Sequence, residues 1–149
     1  MGDEVALRND SGYLDDPALA PDNRWMHRPP MDWAAASRRS DPSTLEGRVF
    51  AALKRLGEGR RAVPALRGGG DCAVLDVGND AVLAWRRRHP RSGTFIGLAN
   101  FSPATQPVVA DTVTGFGTFE PVLTSDGPPD LRADRLLVPG LGFAWFAEP

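Results

Sequence analysis

The chain has 149 residues, of which 42% are hydrophobic and 24% charged, and its formal net charge is −2. That length suits one domain or a domain with an appendage, and the apolar share is enough for a real core. The charge balance excludes global disorder and a general nucleic-acid binder, and the single cysteine, Cys72, excludes an internal disulfide and a cysteine-based metal cluster. No apolar run reaches the length of a membrane span, and Met1 is not followed by a charged and then apolar signal region, so no membrane association and a cytoplasmic location are expected.

Residues 1–40 carry no helical or strand periodicity. They hold Gly2, Gly12, Pro17, Pro21, Pro29 and Pro30 among scattered Asp and Asn, and read as one long loop. Structureless segments of that length inside a compact domain are uncommon and usually functional. Its densest part is residues 22–33, with two Trp, two Arg, one of the two His and two adjacent Pro. Arg offers a rigid fork of donors suited to paired hydroxyls or carboxylates. Trp offers a flat apolar face with one N–H. Pro29 and Pro30 hold the backbone extended and block a helix. The competing reading is a rigid loop whose Trp25 and Trp33 plug a core edge, and for the two Trp packing is favoured over a stacking platform.

Residues 41–65 read as a helix. Asp41-Pro42 gives a cap with Pro in the first turn, and Ser43 with Glu46 offers a capping box instead. Leu45, Val49, Ala52, Leu53 and Leu56 fall on one stripe, the C-terminal half is basic as the helix dipole prefers, and Pro64 is a stop.

Gly68-Gly69-Gly70 lacks the Lys-Ser/Thr of a phosphate loop and reads as a hinge, after which the composition turns to β. Strands are expected at 72–77, 81–86, 93–101, 106–111, 119–124, 135–139 and 143–147. Turn signals separate them at Gly78-Asn79-Asp80, Ser102-Pro103, Thr114-Gly115, Asp126-Gly127-Pro128-Pro129 and Pro139-Gly140. Short strands at this spacing suggest an antiparallel sandwich. The basic run Arg86-Arg87-Arg88-His89-Pro90-Arg91 has no interleaved aromatic residue and reads as a solvated hairpin end, with no nucleic-acid partner.

Arg28-Pro29-Pro30-Met31-Asp32-Trp33 resembles the R-x-P-M-x-W motif of the α-amylase family, glycoside hydrolase family 13. With Asn23-Arg24-Trp25 and His27-Arg28-Pro29 ahead of it, the run is similar to the D-x-R-W-x-H-R-P signature of the amylosucrase branch. Gly2-Asp3-Glu4 resembles the G-D-E that follows the last barrel strand of that family. Arg61-Ala62-Val63-Pro64-Ala65-Leu66 is similar to the arginine-led P-A-L stretch after its last helix, Ile96 to Ser102 to its L-x-x-x-N-F-S strand, and Leu137-Val138-Pro139 with 142–146 to its closing strand. Around Pro30 to Trp33 the sequence reads more like general α-glucosidases, which leaves the substrate open.

The resemblance implies a mainly β fold: a C-terminal antiparallel β-sandwich over 67–149, preceded over 1–66 by a long loop and one helix from the end of a (β/α)8 barrel. It implies a retaining enzyme acting on sucrose or another α-glucoside, with sucrose or α-glucan as its partner and no cofactor or metal. Retaining glycoside chemistry needs two carboxyl groups about 5 Å apart. In the family these come from barrel strands that this sequence does not contain, and the adjacent pairs Asp3-Glu4 and Asp15-Asp16 read as solvated. No catalytic residue is therefore assigned, and the isolated chain is expected to be inactive. Arg28 is the first candidate for substrate binding and Arg24 the second, with the choice between them open. His27 joins them as a hydrogen-bonding residue more than an acid or base. Two other readings stand beside this one: a non-catalytic carbohydrate-binding β-domain, and a structural interaction protein. Barrel pieces expose apolar faces, so self-association through the barrel-facing surface is expected.

Overall fold

The computed structural model describes the chain except Met1, Pro128, Asp130 and Arg132. The turn expected around Pro128 therefore lies partly outside the described residues. The chain divides into two compact units, Met1–Gly57 and Glu58–Pro149.

The first unit is built from tight turns. Short 3₁₀ segments at Asp3–Val5, Gly12–Asp15, Asn23–His27 and Arg38–Ser40 alternate with a five-residue helix, α1 (Trp33–Ser37). The long loop is thus more locally wound than its sequence suggests, because segments of three to five residues are too short to show a period. Asx turns do much of this winding. Asp10, Asp16, Asp22 and Asp41 each accept the backbone N–H of the residue two positions on. Asp32 caps α1 by accepting from the Ala35 N–H at 2.9 Å. Val5 and Ala35 are the buried apolar side chains of this unit among the described residues.

Helix α2 runs from Leu45 to Ala62 and crosses the boundary between the units. The expected capping box does not form. Thr44 is the cap, its hydroxyl accepting from the Gly47 N–H at 3.1 Å, while Ser43 is drawn to Asp41 and Glu46 pairs with Arg38. Gly47 is buried where the chain doubles back; a Cβ there would sit 1.9 Å from the Asp41 carbonyl oxygen. The apolar stripe is present but not covered: Leu45 is 53% exposed and Leu53 44%.

The second unit is antiparallel β throughout, and the fold is mainly β. Strands β1 (Asp71–Leu75), β2 (Val82–His89), β3 (Gly93–Asn100), β5 (Glu120–Thr124) and β7 (Phe143–Ala147) form one sheet in the order β1-β2-β3-β7-β5. Strands β4 (Gln106–Val109) and β6 (Arg135–Val138) form the second. Each expected strand appears within a few residues of its expected bounds. The four-residue helix α3 (Asp111–Thr114) was not expected, and it ends β4 early.

Alternation decides what each face of the large sheet does. Val82, Ala84, Ile96, Leu98, Ala144 and Phe146 point one way and pack with Val108, Val113, Leu136 and Val138 from the small sheet and α3. This is the layered core. The opposite face carries Phe95 and Ala147, buried with Val63 and Ala65 from the segment after α2. Trp85 and Trp145 flank Phe95 there, at centroid distances of 6.0 and 5.6 Å. Gly97 lies between the two Trp in register, and a Cβ on it would come within 2.3 Å of the Trp85 ring. Gly59 plays the same part on α2, where Leu123 approaches a Cβ position to 2.9 Å.

Asn100, at the end of β3, joins the two sheets. It is 3% exposed. Its amide nitrogen donates to the carbonyls of Ala104, Val138 and Pro139 at 2.7, 3.1 and 3.0 Å. Its oxygen accepts from the Ser102 N–H at 2.8 Å and the Ser102 hydroxyl at 2.9 Å. Asn100→Ala strips partners from several backbone groups at once and is expected to cost about 3 kcal/mol. Chemical denaturation of the variant would show this as a lower midpoint at unchanged slope.

Candidate functional site

The three residues singled out for binding, Arg24, His27 and Arg28, sit on or just after the 3₁₀ segment Asn23–His27. Asp22 starts this segment, accepting from the Arg24 N–H at 3.0 Å. A backbone bond from the Asp10 N–H to the Met26 carbonyl, 2.9 Å, ties it to the preceding loop. Pro29 and Pro30 then prevent the turn from continuing, which leaves Arg28 at a corner.

The geometry separates the two arginines. Arg24 closes back on Asp22: its Nε lies 2.8 and 3.0 Å from the two carboxylate oxygens and its Nη2 2.7 Å from one of them. This is a bidentate pair, and it occupies the fork that a ligand would need. Arg28 has no ion-pair partner among the described residues. Its guanidinium instead lies 5.8 Å from the centroid of the Trp25 ring. The His27 Nδ1 lies 3.1 Å from the Asn9 side-chain oxygen, within hydrogen-bond reach.

Arg28 and Trp25 line an open depression of about 380 Å³ together with Asp10, Tyr13, Asp16 and Pro30. Arg24 and His27 are outside it. A planar donor fork, an aromatic face, a phenol and two carboxylates around one depression can hold a polyhydroxylated molecule by donors, acceptors and stacking. Sequence reasoning did not single out Tyr13, the one tyrosine of the chain, nor Asp10, and it read Asp16 only as half of a solvated acidic pair. The readable signal was the Asp-x-Gly and Asp-x-Ala spacing of two Asx turns, which fixes where those carboxylates stand. Trp33 departs from the packing expectation: it is 77% exposed at the first position of α1. No group of three or more His, Cys, Asp or Glu suited to a metal ion occurs among the described residues.

The hydrogen bonds from Arg24 hold the Asp22 carboxyl at a pKa of about 2, below its ordinary 3.8. A lowered folded pKa contributes order that is full above the ordinary value and is lost as pH falls through the lowered one. The Asp22–Arg24 turn is therefore expected to persist at pH 3 and to open near pH 2. An NMR titration of the Asp22 carboxyl carbon would check this; a midpoint near the ordinary value would show that the pair does not form.

No family model matches the sequence. Among solved structures, the fold is similar to that of Amy13B from Eubacterium rectale, with a TM-score of 0.59 and 17% identity over 76% of this chain and 21% of that one. It is similar also to the trehalulose synthase MutB from Pseudomonas mesoacidophila MX-45, with a TM-score of 0.56 and 22% identity over 76% of this chain and 19% of that one. A MutB E254Q mutant in complex with the substrate sucrose matches to the same degree. At these identities the likeness is one of fold, and this chain spans about a fifth of the length of the proteins it matches.

Proposed function

We propose that this chain is the C-terminal part of an α-amylase-family enzyme that transfers or hydrolyses glucosyl groups, of the amylosucrase kind. Residues 1–66 would be the loop after the eighth barrel strand and the last barrel helix, and residues 67–149 the C-terminal β-domain. The observation that carries the reading is the exposed Arg28 beside Trp25, on a loop whose motifs follow the family order and precede an antiparallel β-domain, in a chain whose fold is similar to about a fifth of Amy13B and of MutB. The uncovered Leu45 and Leu53 on α2 support it too, as does the small apolar core of the first unit, Val5 and Ala35 among its described residues. A segment with so small a core depends on packing against further structure.

In this reading Arg28 holds hydroxyls of the reacting glucosyl unit. A guanidinium without a carboxylate partner presents all its donors to a ligand, whereas Arg24 is engaged by Asp22 and positions the turn. Sucrose is the substrate to try first, because it is the substrate named for the MutB mutant of the same fold. The bond-breaking carboxylates would come from the rest of the barrel. Asp10, Asp16 and Asp22 each hold a backbone N–H and so have structural employment.

The chain alone is expected to release no glucose or fructose from sucrose, and detectable turnover by the purified chain would overturn the reading. In the intact enzyme, Arg28→Ala should lower kcat/KM by about a hundredfold or more, while Arg24→Ala should cost far less. Equal losses in the two variants would remove the distinction drawn between them. The same exposed α2 face predicts self-association of the isolated chain, read as a concentration-dependent mass by light scattering.

A further inference from the structure

A second polar cavity, of about 250 Å³, lies in the β-domain, lined by Arg86, Arg88, Thr94, Phe116 and Glu148. Its composition is unexpected for its place. Arg86 and Arg88 follow Val82 and Ala84 on the face of β2 that packs the layered core, so two cations continue an apolar row. Arg86 pairs in register with Ile96, and Arg88 with Thr94. Neither guanidinium has an ion-pair partner among the described residues. Arg86 is held over the Phe116 ring, 4.8 Å from its centroid.

Thr94 is the central group. It is only 8% exposed, and its backbone is satisfied on both sides: the N–H donates to Glu148 Oε2 at 3.0 Å and the carbonyl accepts from the Glu148 N–H at 3.1 Å. Its hydroxyl lines the cavity without a hydrogen-bond partner among the described residues. Glu148 is fixed in turn by Gly93, whose φ is +81° and whose missing Cβ would lie 2.6 Å from Oε2. The cavity thus presents two donor forks, one unused hydroxyl and one carboxylate held in place.

From this arrangement we propose that the cavity binds the phosphate group of inorganic phosphate or of a small phosphomonoester. The two guanidinium groups donate charge-assisted bonds to phosphate oxygens, and the Thr94 hydroxyl donates a third. Glu148 accepts from a protonated phosphate oxygen. This carboxylate selects against sulfate, which has no proton to give at neutral pH and would meet an unrelieved like charge. The site does not depend on the glucosyl-transfer reading, and its success or failure is separate from it.

The test is an NMR titration of the full chain with inorganic phosphate, glucose 6-phosphate, sulfate and glucose, following the amides of Arg86, Arg88 and Thr94. Saturable shifts with one or both phosphates, and weaker binding of sulfate, are expected; the tighter of the two phosphates identifies the source. Arg88→Gln, at an exposed side chain that bonds to no described residue, should weaken phosphate about tenfold at unchanged amide dispersion. Glu148→Gln should bring sulfate and phosphate closer together. Absence of shifts with phosphate, equal binding of phosphate and sulfate in the unmodified chain, or shifts with glucose alone would each overturn the assignment.

Discussion

The β-domain depends on one amide. Two sheets can stack through apolar side chains alone, but nothing in that packing fixes where one sheet ends against the other. Asn100 supplies the fixed point. Its donors reach carbonyls at the end of β6 and in the turn after β3, and its oxygen holds Ser102 at the start of the connection between the sheets. Gln106 adds to the same corner, donating to the Ser102 hydroxyl at 3.0 Å. A buried polar group is costly when unpaired and directional when fully paired. Here it is fully paired, and the corner it holds sets the register of β3, β4 and β6 together.

The opposite side of the large sheet is governed by size rather than by polarity. Three aromatic rings, Trp85, Phe95 and Trp145, occupy neighbouring positions on three strands. They fit because Gly97 has no side chain between the two Trp and because Gly59 lets α2 come close to Leu123. The segment Val63 to Leu66 then closes over Phe95. The large sheet therefore has two different faces: one tied by hydrogen bonds at its edge, the other filled by rings around a gap.

Much of this was legible in the sequence. The seven strands could be read because apolar alternation and Gly, Pro or Asn turns mark each of them. The N-F-S run could be noticed by resemblance, but only the structure gives Asn100 its physical task. The short helices α1 and α3 were not readable, since four or five residues make little more than one turn. The helix cap was misplaced by one residue because Ser43 and Thr44 are chemically equivalent candidates, and Asp41 takes Ser43 first. In the loop, both arginines looked alike. What separates them is Asp22, two residues before Arg24 and within bidentate reach, while Arg28 has no ion-pair partner among the described residues and lies against the Trp25 ring. Tyr13 and the two Asx-turn carboxylates join that ring through folding of the loop, which no local pattern announces. The exposed stripe on α2 is the opposite case: the pattern was plain, and the structure leaves it uncovered.

The sheet order leaves β1 and β5 as its two margins, and they are unequal. Strand β5 carries Pro121, which has no N–H to offer, and a bulge follows it before Leu123. Strand β1 has neither device, and its Val74 is 74% exposed. Strand addition to the large sheet would thus be one-sided: an incoming strand can template on the β1 side, whereas the proline margin resists it, so growth along this sheet would stop at pairs.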